Sequence, residues 1–169
     1  SSDVCSSDLV GMMHVPEWMA DKWEVTKEQV LKDAVTNTEK MFPAKIYTAK
    51  EYEESVSETL PKEKKDDFAK YMNPPENRPS GIFTATNEKD FWGTNVMLYP
   101  HFLSDFAKAH NAEKLLLLTA SVHDLLIITN MSNLTPEACH EAMEEMEIFE
   151  TVPEAYLSNT PYLYDANSD

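Results

Sequence analysis

The sequence predicts an α+β fold in which an antiparallel sheet carries helices on one face. Two apolar runs, Leu115–Leu118 and Leu125–Ile128, have no polar alternation, which is typical of strands that are covered on both faces. Strand and helix signals follow one another around these runs, so residues 81–147 are predicted as a β-β-α-β-β-α core preceded by helices. The simplest architecture for this order segregates the helices onto one face of the sheet.

The first nine residues, SSDVCSSDL, are those that a common sequencing adapter encodes in one open frame. We interpret residues 1–9 as technical in origin, exclude them from the fold and expect them to pack against nothing. Residues 10–165 are then long enough for one domain with its own core. A mainly helical part, 10–72, precedes a sheet-containing part, 81–165. We expect the chain to be the C-terminal portion of a longer protein.

The composition is strongly acidic, with 30 Asp and Glu against 14 Lys and Arg and a formal net charge of −16. Arg78 is the only arginine, so the chain lacks a cluster of forked donors for phosphates or base edges. This argues against nucleic-acid binding. The acidity is interpreted first as a solvated surface, with steering toward a basic protein partner as the alternative.

Cysteine content and hydropathy favour a cytoplasmic protein. Outside residues 1–9, Cys139 is the only cysteine, so neither an intramolecular disulfide nor a cysteine-based zinc site can form. No apolar run approaches the roughly 20 residues that cross a bilayer. We therefore expect no membrane association.

A helix is predicted to begin at Thr26, because Thr26-Lys-Glu-Gln29 is a capping-box signature. It should end before Pro43, and Ala44–Thr48 follows as a short strand candidate. Residues 49–72 are charged and helix-prone and are expected to be peripheral. The helix after Thr26 has one apolar stripe at three- and four-residue spacing, formed by Val30, Leu31, Ala34, Val35, Thr38, Met41 and Phe42.

Three prolines within 73–80 predict a stiff surface connection. Beyond it, Ile82–Thr86 and Thr94–Tyr99 are predicted strands that pair antiparallel, joined by a loop that ends in Gly93. Two helices complete the core. The first begins at Pro100 and has the apolar face Phe102, Leu103, Phe106 and Ala107; the second begins at Thr135-Pro136-Glu137 and buries Ala138, Cys139, Ala142, Met143 and Met146.

The candidate catalytic residues lie between the two apolar strands, in Thr119-Ala-Ser-Val-His-Asp124. One interpretation is a nucleophile, Ser121, with His123 as its base and Asp124 as the acid that orients the ring. Against it, sequence neighbours on an extended chain point to opposite faces. The alternative is structural: Ser121 and Asp124 bond to turn backbone while His123 packs at the start of the strand 124–129. A concave pocket shared by His123 with Tyr99 or Asn95 would favour catalysis.

No metal or cofactor is predicted. His140-Glu141-Ala-Met-Glu144 begins like the zinc-protease helix motif but has Glu144 where the second histidine must stand. The glycines are isolated, so there is no phosphate-binding loop for a nucleotide. The aromatic residues of the second half are interpreted as core or strand-edge residues, with a peptide-binding groove as the alternative: Phe91, Trp92, Tyr99, Tyr162 and Tyr164.

Several motifs together resemble an uncharacterised family of gut-bacterial, Clostridia-type proteins, a domain of unknown function. They are Trp23-Glu-Val-Thr-Lys-Glu-Gln-Val-Leu31, Asn37-Thr38, Met41-Phe-Pro-Ala44, Thr86-Asn87, Gly93-Thr-Asn-Val-Met-Leu-Tyr-Pro100, Ser121-Val-His-Asp124, Leu157-Ser-Asn and Tyr162-Leu-Tyr-Asp165. The family pattern is expected to have Gly-Ala at 93–94 and Ser-Ser-Ile-His-Glu at 120–124, so this chain keeps the histidine and its acid but lacks one hydroxyl. The resemblance implies longer relatives and supplies no activity.

Two functional hypotheses follow. The first is a cytoplasmic interaction or accessory protein without catalysis, whose acidic surface meets a protein partner. The second is a hydrolase of unknown substrate built around His123 with Ser121 or Asp124.

Overall fold

The computed structural model describes residues 15–59, 61–62, 65, 80–90, 92–119, 121–131, 135, 157–158 and 160–168. They contain the helices α1 (Glu17–Lys22), α2 (Lys27–Met41), α3 (Ala49–Thr59) and α4 (Phe102–Ala109), the strands β1 (Ala44–Thr48), β2 (Ile82–Asn87), β3 (Lys114–Leu118), β4 (Leu125–Ile128) and β5 (Tyr162–Asp165), and a 3-10 helix (Gly93–Leu98). The predicted α+β class is confirmed.

The five strands form one antiparallel sheet in the order β1-β2-β4-β3-β5. The two apolar runs are neighbouring interior strands, as predicted, with Leu117 opposite Ile127. Strand β5 pairs with β3 and places Tyr164 opposite Leu115. The sequence analysis did not anticipate this last strand.

Both faces of the central strands are apolar, which explains why their sequences do not alternate. The first face belongs to the larger core, which includes Ala85, Leu115, Leu117, Leu125 and Ile127. The second face carries a smaller cluster around Leu118 and Ile128, with Ile82, Leu116 and Leu126 packed against it. Leu115, Leu118, Leu125 and Ile127 have no exposed surface.

The described helices are divided between the two faces, so the prediction of one helical face is wrong in this respect. Phe106 of α4 and Val96 of the 3-10 helix pack in the larger core. On β1, Tyr47 points away from the face that Ile46 occupies, because successive residues alternate. The Tyr47 ring lies 6.1 Å from that of Tyr52 in α3. Helix α3 therefore contacts the second face.

Helix α2 begins where the sequence predicts, but its apolar stripe is not buried. The Thr26 hydroxyl accepts a hydrogen bond from the Gln29 backbone N–H at 3.2 Å, while the Gln29 side chain donates to Asp33 at 2.8 Å. None of the 15 residues of α2 is buried, and Leu31 and Met41 are 57% and 67% exposed.

The reciprocal capping box is at the start of α3. The Glu51 carboxylate accepts from the backbone N–H and the hydroxyl of Thr48, both at 2.8 Å, and the Thr48 hydroxyl accepts from the Glu51 N–H at 3.3 Å. The bond from the Thr48 N–H is the main reason that the pKa of Glu51 is lowered. This box ends β1 at Thr48 and starts the helix without a connecting loop.

The predicted strand Thr94–Tyr99 is wrong, because this segment is the 3-10 helix. The N–H of Asn95 donates to the Trp92 carbonyl at 3.2 Å, and that of Tyr99 to the Val96 carbonyl at 3.1 Å. The two sides of β2 are occupied by β1 and β4, so the predicted antiparallel pair has no place in the sheet. The Thr94 N–H instead donates to Val122.

Helix α4 confirms the prediction for the segment after Pro100: Phe106 and Ala107 are 4% and 0% exposed. The predictions for residues 1–9, for the connection 73–79 and for a helix beginning at Pro136 lie outside the described residues. No helix within the described ranges is long and apolar enough to span a bilayer.

Candidate functional site

The candidate catalytic residues lie in the 119–124 loop, which connects β3 to β4 in the middle of the sheet. Its neighbours are the end of β2 and the first residues of the 3-10 helix, about 30 residues earlier in the chain. Three segments of the chain contact this loop: α3, β2 and the 3-10 helix.

Ser121 is 8% exposed, and its hydroxyl oxygen accepts the backbone N–H of His123 at 3.0 Å. A serine that accepts a bond from the residue two positions ahead forms a local turn. This bond of Ser121 closes a turn within the loop.

His123 connects the loop to both neighbouring segments. Its Nδ1 accepts the backbone N–H of Trp92 at 3.4 Å, and its carbonyl accepts the Thr86 hydroxyl at 3.0 Å. An accepting Nδ1 places the proton of the neutral ring on Nε2. Trp92 adopts a left-handed backbone conformation with φ of 55° at the point where it donates this bond. The histidine thus contacts a backbone turn that is costly for a bulky residue.

Asp124 connects the loop to α3. Its carboxylate accepts the phenol hydroxyl of Tyr52 at 3.2 Å, and its carbonyl accepts the hydroxyl of Thr94 at 2.9 Å. The three candidate residues are thus within one loop, and the bonds described above join Ser121 to a local turn, His123 to the Trp92 backbone and Asp124 to Tyr52.

Thr94 makes the densest contact with the loop. Its hydroxyl oxygen lies 2.5 Å from the Ser121 carbonyl and 2.9 Å from the Asp124 carbonyl, and its N–H donates to the Val122 carbonyl at 3.2 Å. A hydroxyl has one hydrogen, so the two carbonyls share it. Thr94 is 4% exposed, and these bonds satisfy loop carbonyls away from water.

Gly93 permits this approach because it has no side chain. A Cβ on Gly93 would overlap the Thr86 hydroxyl oxygen and the His123 carbonyl oxygen, and would lie 2.7 Å from the Thr86 Cα. The sequence suggested that Gly93 is needed for a positive φ. In the structure, a glycine is needed because a side chain at this position would not fit.

One buried hydroxyl near the loop has no partner. Thr119 is 2% exposed, and its Oγ1 makes no hydrogen bond to any residue that the structure describes. Such a group costs stability and is uncommon in buried positions.

The contacts that hold the loop were not predicted from the sequence. They involve Tyr52, Thr86, Trp92, Gly93 and Thr94. Two of the motifs behind the family resemblance, Thr86-Asn87 and the segment from Gly93, contain three of these residues, and a third motif, Ser121-Val-His-Asp124, is part of the loop itself. These motifs are far apart in sequence and meet at this loop. Their co-occurrence was therefore the available signal that they are in contact.

A separate groove of about 450 Å³ lies between the end of α2, β1 and α4. Tyr99 lines it, whereas Asn95, Ser121, His123 and Asp124 do not. The groove is lined by Glu39, Pro43, Ala44, Ile46, Tyr99, Pro100, Phe102, Asp105, Phe106, Ala109 and His110.

Within the described ranges, no group of three or more His, Cys, Asp or Glu residues is arranged to hold a metal ion. The His140 and Glu144 pair lies outside those ranges.

Comparison with known protein families gives a match over most of the chain. A family model described as "Family of unknown function (DUF5688)" matches residues 5–166. No curated protein and no solved structure matches the chain.

Proposed function

The chain belongs to DUF5688, a family of unknown function, and we propose that it is a non-catalytic interaction or accessory protein. The gut-bacterial, Clostridia-type origin that the motifs indicate is part of this proposal. So is a cytoplasmic location, for which the support is a single cysteine, Cys139, outside residues 1–9.

The bonding of the 119–124 loop is the observation that carries the proposal. Ser121 accepts a backbone N–H, His123 accepts the Trp92 N–H through Nδ1, and Asp124 accepts the Tyr52 hydroxyl. A hydrolytic triad instead needs the serine hydroxyl to donate to the imidazole and the imidazole to donate to the acid. The described bonds favour a loop that fixes the sheet to the 3-10 helix and α3.

The distribution of exposed apolar side chains supports an interaction role. Eleven large apolar residues are exposed in the described ranges, and six of them lie between residues 15 and 41. These six are Val15, Trp18, Trp23, Val25, Leu31 and Met41. Their number within this one stretch of the chain supports a role in which the helices α1 and α2 contact another molecule.

The proposal can be tested on the full chain with a fluorophosphonate probe, which forms a covalent adduct only with an activated serine. We expect no adduct by intact mass. We also expect His123→Ala to lower the free energy of unfolding by about 1–3 kcal/mol, because the Trp92 N–H loses its acceptor. A melting midpoint would report the second effect.

The matched control is Ser104→Ala, since the Ser104 hydroxyl donates to the His101 carbonyl at 3.0 Å at the start of α4, away from the 119–124 loop. An adduct that persists in Ser104→Ala and disappears in Ser121→Ala would overturn the proposal and make the chain a hydrolase candidate. An unchanged midpoint for His123→Ala would also contradict the structural role of the loop.

A further inference from the structure

The groove between α2, β1 and α4 combines an apolar floor with an acidic rim. Ile46 and Phe102 supply apolar surface, and Ile46 is 41% exposed. Glu39 and Asp105 come from α2 and α4, on different sides of the groove. Its volume of about 450 Å³ is ordinary for a ligand site.

The charge of Glu39 affects Tyr99, and both residues line the groove. The Tyr99 hydroxyl donates a hydrogen bond to the Phe42 carbonyl at 2.8 Å. Burial is the main cause of the raised pKa of Tyr99, and the negative charge of Glu39 adds to it. The negative charge of Glu39 therefore acts on the phenol group of Tyr99.

Asp105 has a weak partner on the surface. Its carboxylate lies 3.9 Å from the Lys108 ammonium, and the two side chains are 74% and 77% exposed. Pairs with this exposure contribute little because water screens them. A cation brought by another molecule can therefore replace Lys108.

His110 forms part of the wall as an aromatic ring. Its ring centroid lies 4.4 Å from that of Phe83 and 4.4 Å from that of Phe106. No lysine or arginine is among the described residues that line the groove. The lining therefore offers aromatic rings and carboxylates but no opposing ammonium or guanidinium group.

We propose that this groove binds a segment of a partner protein in which a lysine or arginine stands beside an apolar side chain. The inference rests on the proposed interaction role and specifies its partner. The cation would lie between Glu39 and Asp105, where both carboxylates attract it. The apolar side chain would cover Ile46 and Phe102. The net charge of −16 would steer such a segment to the chain.

Fluorescence anisotropy with labelled synthetic peptides tests the inference on the full chain. One peptide alternates leucine and lysine, a second replaces each lysine by glutamate, and a third replaces each leucine by serine. We expect the first to bind with a Kd of about 10–100 µM and the other two to bind at least about tenfold more weakly. Binding should weaken as salt rises from about 50 mM to about 500 mM.

The decisive variant is Glu39→Gln with Asp105→Asn, which should weaken binding of the leucine-lysine peptide by about tenfold or more. The matched control is Glu17→Gln with Glu113→Gln, which removes the same charge at exposed positions outside the groove. We expect the control to change affinity by less than about twofold. Glu17, Asp105 and Glu113 are exposed and Glu39 is half-buried, so melting midpoints of both variants are measured to verify that they fold.

Equal losses in the two double variants would attribute binding to net charge and overturn the groove. Absence of binding by the leucine-lysine peptide, or equal binding of the glutamate peptide, would overturn it too. Such failures are distinguishable from failure of the proposed function, because serine labelling is measured without any peptide.

Discussion

The N-terminal helices and the central sheet are both apolar in pattern, yet they differ in what they bury. Helix α2 has an apolar stripe and no buried residue, and α1 has none either. In the sheet, six of the nine residues of β3 and β4 are buried, and the other three are the exposed Lys114 and the half-buried Leu116 and Leu126. Apolar periodicity therefore identified a helix but not a helix in the core.

The difference lies in where each element finds its stabilisation. Helix α2 is supported by local groups, such as the Thr26 cap and the side-chain bond from Gln29 to Asp33. The sheet depends on partners distant in sequence, and the 119–124 loop on hydroxyls and amides from β2 and the 3-10 helix. Substitutions should accordingly cost far more stability near the loop than on α2.

The largest effect is expected for Gly93→Ala. The added methyl group would overlap the Thr86 hydroxyl oxygen and the His123 carbonyl oxygen, so the 3-10 helix must move away from the loop. We expect the free energy of unfolding to fall by about 3 kcal/mol or more in a urea titration. Gly81→Ala is the comparison, because Gly81 has a positive φ of 87° and its substitution also strains the backbone. A loss below about 1 kcal/mol for Gly93→Ala would mean that the loop adapts easily.

A pair of identical substitutions should have opposite signs. Thr94→Val removes the donor shared by the Ser121 and Asp124 carbonyls and should destabilise by about 1–3 kcal/mol. Thr119→Val removes a buried hydroxyl that has no partner among the described residues and should be neutral or stabilise by about 1 kcal/mol. Urea midpoints measure both. Equal losses of stability in Thr94→Val and Thr119→Val would contradict the prediction, because the hydrogen bonds of Thr94 would then make no difference to stability.

The smallest effect is expected on α2. Leu31→Gln keeps size and helix propensity at a position that is 57% exposed, so stability should change by less than about 0.5 kcal/mol. Leu117→Ala, at a position 2% exposed, is the contrast and should cost about 2–5 kcal/mol. A cost above about 1 kcal/mol for Leu31→Gln would end the comparison, because the stripe would then be covered in solution.

The elements that sequence predicted best are those with local or strongly periodic signals. The Thr26 cap, the apolar face of α4 and the two apolar strands all follow from short patterns. The box of Thr48 and Glu51 has the same local signature and could have been recognised. Strand β5, Tyr162–Asp165, has β-prone residues but pairs with a strand almost 50 residues earlier, which no local pattern indicates.

The segment Gly93–Leu98 shows why the candidate site was harder. Thr94 and Val96 favour strands by propensity, but the space required at Gly93 and the three carbonyls that Thr94 contacts come from elsewhere in the chain. The location of Ser121, His123 and Asp124 between β3 and β4 was predictable from the sequence. Their partners were not, because Trp92 and Tyr52 reach them only through tertiary packing.

Strand β1 is an edge of the described sheet, and its shortness has a consequence for self-association. Its five residues follow Pro43, which has no backbone N–H, and end at Thr48, whose N–H is already bonded to Glu51. The strand therefore cannot lengthen at either end. Lys45 adds a charge that a second copy would have to bury. An edge of this kind disfavours growth of the sheet by addition of a strand to β1.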